Sequence, residues 1–236
     1  MPDVIDALTG LLPAESLSYV APHHPILLAR LCRAAYDMPD DHPDLLKVGD
    51  LEALVQRSGR RLDLCFRGTT LCRGSHDILM DIWGYRWPWE EVGCLAHRGG
   101  VHMISRAAAE LWRAVADHEG ELVLSGHSLG GLLAELFGLW CVRFGRKPSE
   151  IVTFGAPRPG GSDVRQALEG VAVTHYRMAR DPVPDMPPWP TWHHPGKVIR
   201  LGQPSQLPSA LRALTVFLPG IAGRHHGIDS YIAALS

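Results

Sequence analysis

Apolar residues recur at helical spacing over Pro25–Tyr36 (PILLARLCRAAY), with proline near the start, where its missing N–H costs nothing, so a helix is predicted there. Leu51–Val55 and Leu62–Phe66 flank Ser58-Gly59-Arg60, and the second run alternates apolar and polar residues up to its aromatic end; this predicts a β-hairpin. Ile104, Ala108, Leu111 and Val115 fall on one face of an amphipathic helix over Val101–Asp117. Beyond it the pattern changes. Short apolar runs at Glu121–Leu124, Ile151–Phe154 and Val171–Met178 are separated by stretches of helical length, the arrangement of buried parallel strands joined by crossover helices. Val198–Leu201 adds a strand and Ile228–Leu235 a closing helix. The prediction is an α/β fold with a mostly parallel central sheet covered by helices on both faces.

With 236 residues, 46% of them hydrophobic, the chain can bury one full core, and a single domain over residues 1–236 is expected. The Pro-rich stretch Pro182–Pro195 carries Trp and His and reads as an ordered loop rather than a spacer. Net charge is -2 with scattered Lys and Arg, so nucleic acid is not an expected partner. Leu122–Val142 reaches membrane-spanning length, but Ser125, His127, Ser128 and Glu135 within it would be costly in lipid, and it reads as strand, turn and helix; no transmembrane segment is expected. Acidic residues precede the first apolar stretch, the wrong order for a secretory signal, which points to a cytoplasmic chain and leaves secretion open. Cys32, Cys65, Cys72, Cys94 and Cys141 show no C-x-x-C spacing; Cys65 and Cys141 read as core, and a Cys72–Cys94 disulfide is the one pairing considered. Asp37, Asp40, Asp41 and Asp44 form an acidic loop read as a solvated turn rather than a calcium site, and no metal or cofactor is expected.

The chemistry concentrates in Leu122-Val123-Leu124-Ser125-Gly126-His127-Ser128-Leu129-Gly130-Gly131, where G-x-S-x-G lies between an apolar strand and an apolar helix. That context is the nucleophile elbow of α/β-hydrolase sheets. The chain must reverse at Ser128, and Gly126 and Gly130 lack the Cβ atoms that would clash where strand and helix meet. The serine hydroxyl is left at the tip, with the Leu129 N–H and the helix N-terminus available to a developing oxyanion. His127 should point to the other face of its strand from Ser128, a poor base and a packed or hydrogen-bonded histidine.

In this fold an acid and then a histidine follow the serine, each after a strand. Asp181 directly follows Val171–Met178 and precedes Pro182, which stops the strand; Asp185 in the same loop and Asp163 near a helix start, where capping is the plainer role, are the alternatives. His193, His194, His225 and His226 all lie after the acid, and only the last two also lie between the final strand and the closing helix.

Several separate stretches resemble the class 3 lipases, the fungal lipase-like family of α/β-hydrolases. Cys65-Phe66-Arg67-Gly68-Thr69 is similar to the family's oxyanion strand end and His97-Arg98-Gly99-Gly100 to its H-x-G element. The elbow matches, as do Val152-Thr153-Phe154-Gly155-Ala156-Pro157-Arg158, Arg180-Asp181-Pro182-Val183-Pro184 and His226-Gly227-Ile228-Asp229-Ser230-Tyr231, in order over residues 65–231. The resemblance implies a Ser128, Asp181, His226 triad, with Thr69 joining Leu129 in the oxyanion hole. It implies hydrolysis of carboxylic esters, acylglycerols or other lipid esters foremost. One departure is Leu71-Cys72-Arg73-Gly74-Ser75, which intervenes before the segment expected to be a lid.

Between Thr69 and His97 lie Ile78, Leu79, Met80, Ile82, Trp83, Tyr85, Trp87 and Trp89, read as a lid or flap over residues 70–96 that contacts the acyl chain and makes transient contact with a lipid surface. Trp83, Trp87 and His127 are the residues expected to touch substrate. Two other readings share the motifs: a small-molecule carboxylesterase or acyltransferase with a fixed pocket, and a catalytically silent binding module.

Overall fold

The computed structural model describes residues 24–68, 85–217 and 225–236. Strands β1 (Leu45–Val48), β2 (Leu51–Ser58) and β3 (Arg61–Phe66) pair antiparallel, and β4 (Arg86–Trp89) and β5 (Cys94–His97) form a separate hairpin. From β3 the main sheet continues with four parallel strands, β6 (Glu121–His127), β7 (Glu150–Phe154), β8 (Ala172–Met178) and β9 (Lys197–Leu201), so its order is β1-β2-β3-β6-β7-β8-β9. The helices are α1 (Pro25–Asp37), α2 (Arg98–Val115), α3 (Leu129–Arg143), α4 (Ser162–Ala167), α5 (Ser209–Leu214) and α6 (Ile228–Leu235).

Alternation along the strands divides the interior into two cores, because successive side chains leave a strand on opposite faces. Leu62, Leu64 and Phe66 of β3 and Leu122 and Leu124 of β6 join α2 and α3 on one face. Cys65 and Val123 turn to the other, where they meet Leu28, Leu31 and Cys32 of α1 and Ile228 and Tyr231 of α6. Helix α3 is buried around most of its circumference, since it lies between the sheet and α2, and its sequence is correspondingly apolar on every side. Among the described residues no helix is long and apolar enough to cross a membrane.

The sheet and the flanking helices agree with the sequence pattern, and the boundaries differ where packing overrides it. β6 runs on to His127 rather than stopping at Leu124, so the strand itself delivers the chain to the elbow. α4 falls at the helix start expected near Asp163, whereas β1, α5 and the β4–β5 hairpin have no counterpart in the sequence pattern. β1 is only four residues, too short to show a period, and β4 contains Pro88, which is tolerated because a two-stranded hairpin leaves a free edge. The hairpin is the C-terminal part of the segment read as a lid. Trp89 fixes it: the ring is buried and stacks on Trp140 of α3 at 5.9 Å. His97 ends the hairpin and starts α2, its Nδ1 accepting a hydrogen bond from the Gly100 N–H at 3.4 Å. The H-x-G element is therefore a helix cap.

The acidic loop is tied down by cations: Lys47 Nζ bonds Asp40 at 2.9 Å and Glu52 at 3.0 Å, and Arg33 holds Asp37 at 2.6 Å. Cys65 lies in the core beside Cys32, sulfurs 3.4 Å apart as free thiols, and Cys141 is buried too. Cys94 is a buried free thiol, and Cys72 lies outside the described residues.

Trp89→Ala should lower unfolding stability by about 3–5 kcal/mol, the usual cost of deleting a buried aromatic ring. Trp87→Ala, on the same strand but half exposed, should change it by only about 0.5 kcal/mol. Urea unfolding of the two variants checks the contrast; equal losses would mean that Trp89 does not anchor the hairpin.

Candidate active site

Strand β6 ends at His127 and α3 begins at Leu129, so Ser128 alone makes the turn. Its backbone has φ 59° and ψ -129°, and it is the one non-glycine residue with positive φ among those described. A conformation of this kind costs on the order of 1–3 kcal/mol and survives only when its surroundings enforce it. They do so here through the Ser128 N–H, which donates to the Phe154 carbonyl at 2.9 Å, and through the Ser128 carbonyl, which accepts from Gly131 N–H at 3.0 Å. The two elbow glycines are needed for the close approach: a Cβ on Gly126 would lie 2.3 Å from the Gly130 carbonyl carbon, and one on Gly130 would lie 2.1 Å from the Phe66 carbonyl oxygen. Leu129 supplies the first amide of α3, whose N–H has no intrahelical acceptor.

His226 lies between Ser128 and Asp181. Its Nε2 is 2.7 Å from Ser128 Oγ and its Nδ1 is 2.8 Å from Asp181 Oδ2. A carboxylate can only accept, so Nδ1 carries the proton and Nε2 is left to accept from the serine hydroxyl. Asp181 is fully buried just past β8 and takes two further donors, the Val183 N–H to Oδ1 at 2.9 Å and the Tyr231 hydroxyl to Oδ2 at 2.6 Å. Burial, reinforced by the Asp181 charge, pushes the Tyr231 phenol well above its ordinary pKa, so it remains a donor. The same phenol accepts from Met178 N–H at 3.1 Å, which fixes it to the end of β8. Gly155, at φ 62°, leaves room for the whole assembly: a Cβ there would lie 2.8 Å from the Tyr231 hydroxyl and 3.0 Å from Asp181 Oδ2.

The rival acids are engaged elsewhere. Asp185 is buried against Arg177, at 2.9 and 3.0 Å, and Arg212, at 2.5 Å, with Arg158 at 3.7 Å. Burial alone would raise its pKa; the bonds to Arg177 and Arg212 outweigh burial and hold the carboxyl below its ordinary range. Asp163 caps nothing: its Oδ2 accepts from Leu95 N–H at 2.6 Å and so ties the hairpin to α4. Among the histidines, His194 turns its Nε2 to the Pro184 carbonyl at 2.8 Å and His193 donates its backbone N–H to the Gly160 carbonyl at 2.8 Å. His225 is half-buried and His226 occupies the position between Ser128 and Asp181.

One expected substrate contact is corrected. His127 uses both ring nitrogens inside the protein, with Nε2 donating to the His226 carbonyl at 2.6 Å and Nδ1 accepting from the Tyr36 hydroxyl at 2.9 Å, which leaves neither for a substrate. It supports the main chain of His226 from behind. Trp87 is half exposed on β4 with the Arg98 guanidinium 5.0 Å from its ring centre, and Thr69 and Trp83 lie outside the described residues. Tyr36, Gly155 and Tyr231 carry no local sign of a place in this network. Gly155 and Tyr231 lie in stretches that resemble the family and Tyr36 on an apolar helix, but only the folded arrangement turns each hydroxyl, or the missing Cβ, toward the site.

Burial, with His226 as neighbour, pushes the His127 pKa well below its ordinary value, so the ring stays neutral as its two hydrogen bonds require. In the unfolded chain His127 protonates near pH 6.5, so below that value the unfolded state gains protons that the native state does not. The contribution of His127 is therefore complete above about pH 6.5 and is lost as pH falls. Melting temperature should drop between pH 7 and pH 5, and the drop should be shallower in His127→Asn. An identical slope in the two proteins would show that His127 is not the group responsible.

The Lipase (class 3) family model matches residues 64–191, more than half of the chain. Curated proteins give no match. Solved structures with the same fold include a lipase from Rhizopus microsporus var. chinensis, 21% identical with TM-score 0.66 over 82% of this chain and 77% of that one. A Rhizomucor miehei triacylglyceride lipase is 21% identical with TM-score 0.64 over 81% and 82%, and lipase II from Rhizopus niveus is 24% identical with TM-score 0.63 over 74% and 79%. With its α/β-hydrolase sheet, its elbow serine and this family match, the chain belongs to the class 3 lipases and is a lipid ester hydrolase.

Proposed function

We propose that the protein hydrolyses acylglycerols or closely related lipid esters through an acyl-enzyme on Ser128. The carrying observation is the unbroken chain of hydrogen bonds from Ser128 Oγ through His226 to Asp181, at 2.7 and 2.8 Å. As Ser128 Oγ attacks the ester carbonyl, His226 Nε2 takes its proton, and the carbonyl oxygen becomes an oxyanion beside the Leu129 N–H and Thr69. The tetrahedral intermediate collapses; the alcohol leaves with the proton from His226, and the acyl group stays on the serine. Water then repeats the sequence with His226 as base, releasing the fatty acid and restoring the serine. Asp181, held by Val183 and Tyr231, keeps the imidazole in the Nδ1–H tautomer and stabilises the imidazolium. Every proton in this scheme moves between Ser128, His226, water and the leaving alcohol.

The acid assignment separates activity from stability. Asp181→Asn should fold with near-normal stability and lose on the order of ten-thousand-fold in kcat on a p-nitrophenyl ester, because it favours the wrong imidazole tautomer. Asp185→Asn should do the reverse, losing roughly 3–5 kcal/mol of stability as the buried arginines are left uncompensated. Ser128→Ala should retain the fold and lose labelling by a fluorophosphonate. A more damaging kinetic effect at Asp185 would overturn the assignment of Asp181.

Substrate class rests on the aromatic segment before His97, with Trp83 and Trp87 as its acyl-side contacts. The measurement is hydrolysis of a short-chain triglyceride raised through its solubility limit, in the native enzyme and in Trp83→Ala and Trp87→Ala. A jump in rate past the limit, weakened in the variants, is expected of a cover that opens on a lipid surface. Smooth saturation below the limit would leave a carboxylesterase with a fixed wall, the reading that the anchored Trp89 favours for the hairpin part of the segment.

A further inference from the structure

Helix α3 carries a carboxylate where its neighbours are all apolar. Glu135 is fully buried, and among the described residues neither of its oxygens has a well-aligned hydrogen-bond donor of its own. His175 of β8 comes within 2.9 Å of Glu135 Oε1 through Nε2, but that nitrogen is directed at the Pro195 carbonyl, 2.6 Å away, so the carboxylate has at best a share of one N–H. His194 completes the group. Its Nε2 must donate to the Pro184 carbonyl, which leaves Nδ1 as a bare lone pair, shielded from solvent and without a partner. The ligating atoms of Glu135, His175 and His194 lie within 4.8 Å of one another. Leaving a buried carboxylate and an imidazole lone pair unsatisfied costs about 1–3 kcal/mol for each group, and more if charged.

We propose that Glu135, His175 and His194 form a binding site for one divalent cation of the zinc class, a structural site that fastens the 182–196 loop to α3. Two imidazole nitrogens and a carboxylate are a zinc-type donor set, whereas calcium and magnesium take oxygen donors. Donor atoms around a tetrahedral zinc ion lie about 3.3–3.5 Å apart, given zinc–donor bonds of roughly 2.0–2.2 Å. Glu135 Oε1 and His175 Nε2, at 2.9 Å, are close to that spacing, and the widest pair, within 4.8 Å, needs a shift on the order of 1 Å. The Pro195 carbonyl, beside His175 Nε2, is positioned as a fourth donor.

The surroundings already orient the ligands. Thr153 Oγ1 is 2.7 Å from His175 Nδ1 and can accept its proton when Nε2 binds the cation, while the Pro184 carbonyl holds His194 in the tautomer that exposes Nδ1. Arg158 and Arg177, the nearby cations, are engaged by Asp185. The role is structural because Glu135 lies seven residues beyond Ser128 on α3, about 10 Å along the axis. What the cation would secure is the loop that begins at Asp181.

The test uses the whole protein stripped with a chelator and titrated with zinc ion alone, and in parallel with cobalt(II) as a spectroscopic probe. One zinc per chain is expected, with the intense visible absorption of low-coordinate cobalt and a melting temperature that rises with zinc concentration. Glu135→Gln and His194→Gln should each weaken binding by at least about tenfold, the smallest loss that even an outer-shell change produces. His102→Gln, at an exposed position on α2, should bind as the native chain does. If Glu135→Gln does not fold, His194→Gln and the native melting curve carry the comparison. Less than a tenth of an equivalent bound by the native protein would overturn the site in favour of a proton-sharing Glu–His network, and so would unchanged binding in His194→Gln.

Discussion

The backbone at Ser128 has to reverse within one residue, and the surrounding structure is arranged to make that possible. A side chain other than glycine sits in a left-handed conformation because Phe154 on the neighbouring strand accepts its N–H and the first turn of α3 is built on its carbonyl. The turn can close only if β6 and α3 nearly touch, so Gly126 packs on Gly130 and Gly130 on the end of β3. The parallel order β3-β6-β7-β8 follows from the same requirement: β3 supplies the carbonyl against Gly130, β7 the acceptor for the Ser128 N–H, and β8 the strand end from which Asp181 projects.

The parts of this arrangement that can be read in the sequence are those with a local signature. The apolar runs of β6, β7 and β8 and the elbow pentapeptide are contiguous, and a chemical rule ties each to a place in the sheet. Asp181 could be chosen over Asp185 from its position directly after a strand, although what Asp185 does instead, gathering Arg158, Arg177 and Arg212, depends on residues far apart in the chain. His226 is distinguishable from His225 partly through the family resemblance. Tyr36 and Tyr231 were illegible for a physical reason. A tyrosine on an apolar helix face fits a core as well as a hydrogen-bonding role, and only the packing of α1 and α6 on the same face of the sheet directs the hydroxyls to His127 and Asp181.

Three sets of the polar side chains buried in this protein are linked groups rather than isolated pairs. Asp181, His226, Ser128 and Tyr231 form one; His127 and Tyr36 stand directly behind it, joined through the His226 carbonyl. The Asp185 cluster and the Glu135, His175 and His194 group flank the loop that leaves β8. Low dielectric strengthens each satisfied bond and raises the cost of each unsatisfied one, so such groups fix geometry more than they add stability. Here the geometry they fix is the path of residues 181–195, which connects Asp181 to the last strand of the sheet.

The docking of α1 against α6 has a consequence for heat inactivation. Both helices lie on one face of the sheet, linked to each other at the surface by the exposed Arg33–Asp229 contact, and one carries Tyr36, the other Tyr231. Peripheral elements of this kind open by sub-global fluctuations at lower free energy than the central strands. When the pair loosens, Asp181 loses the Tyr231 donor and His127, which braces the His226 backbone, loses its Tyr36 partner, while the parallel strands and the serine turn remain intact. Catalytic competence would then disappear at temperatures where far-ultraviolet circular dichroism still reports a folded protein, and it would return on cooling without refolding of the sheet.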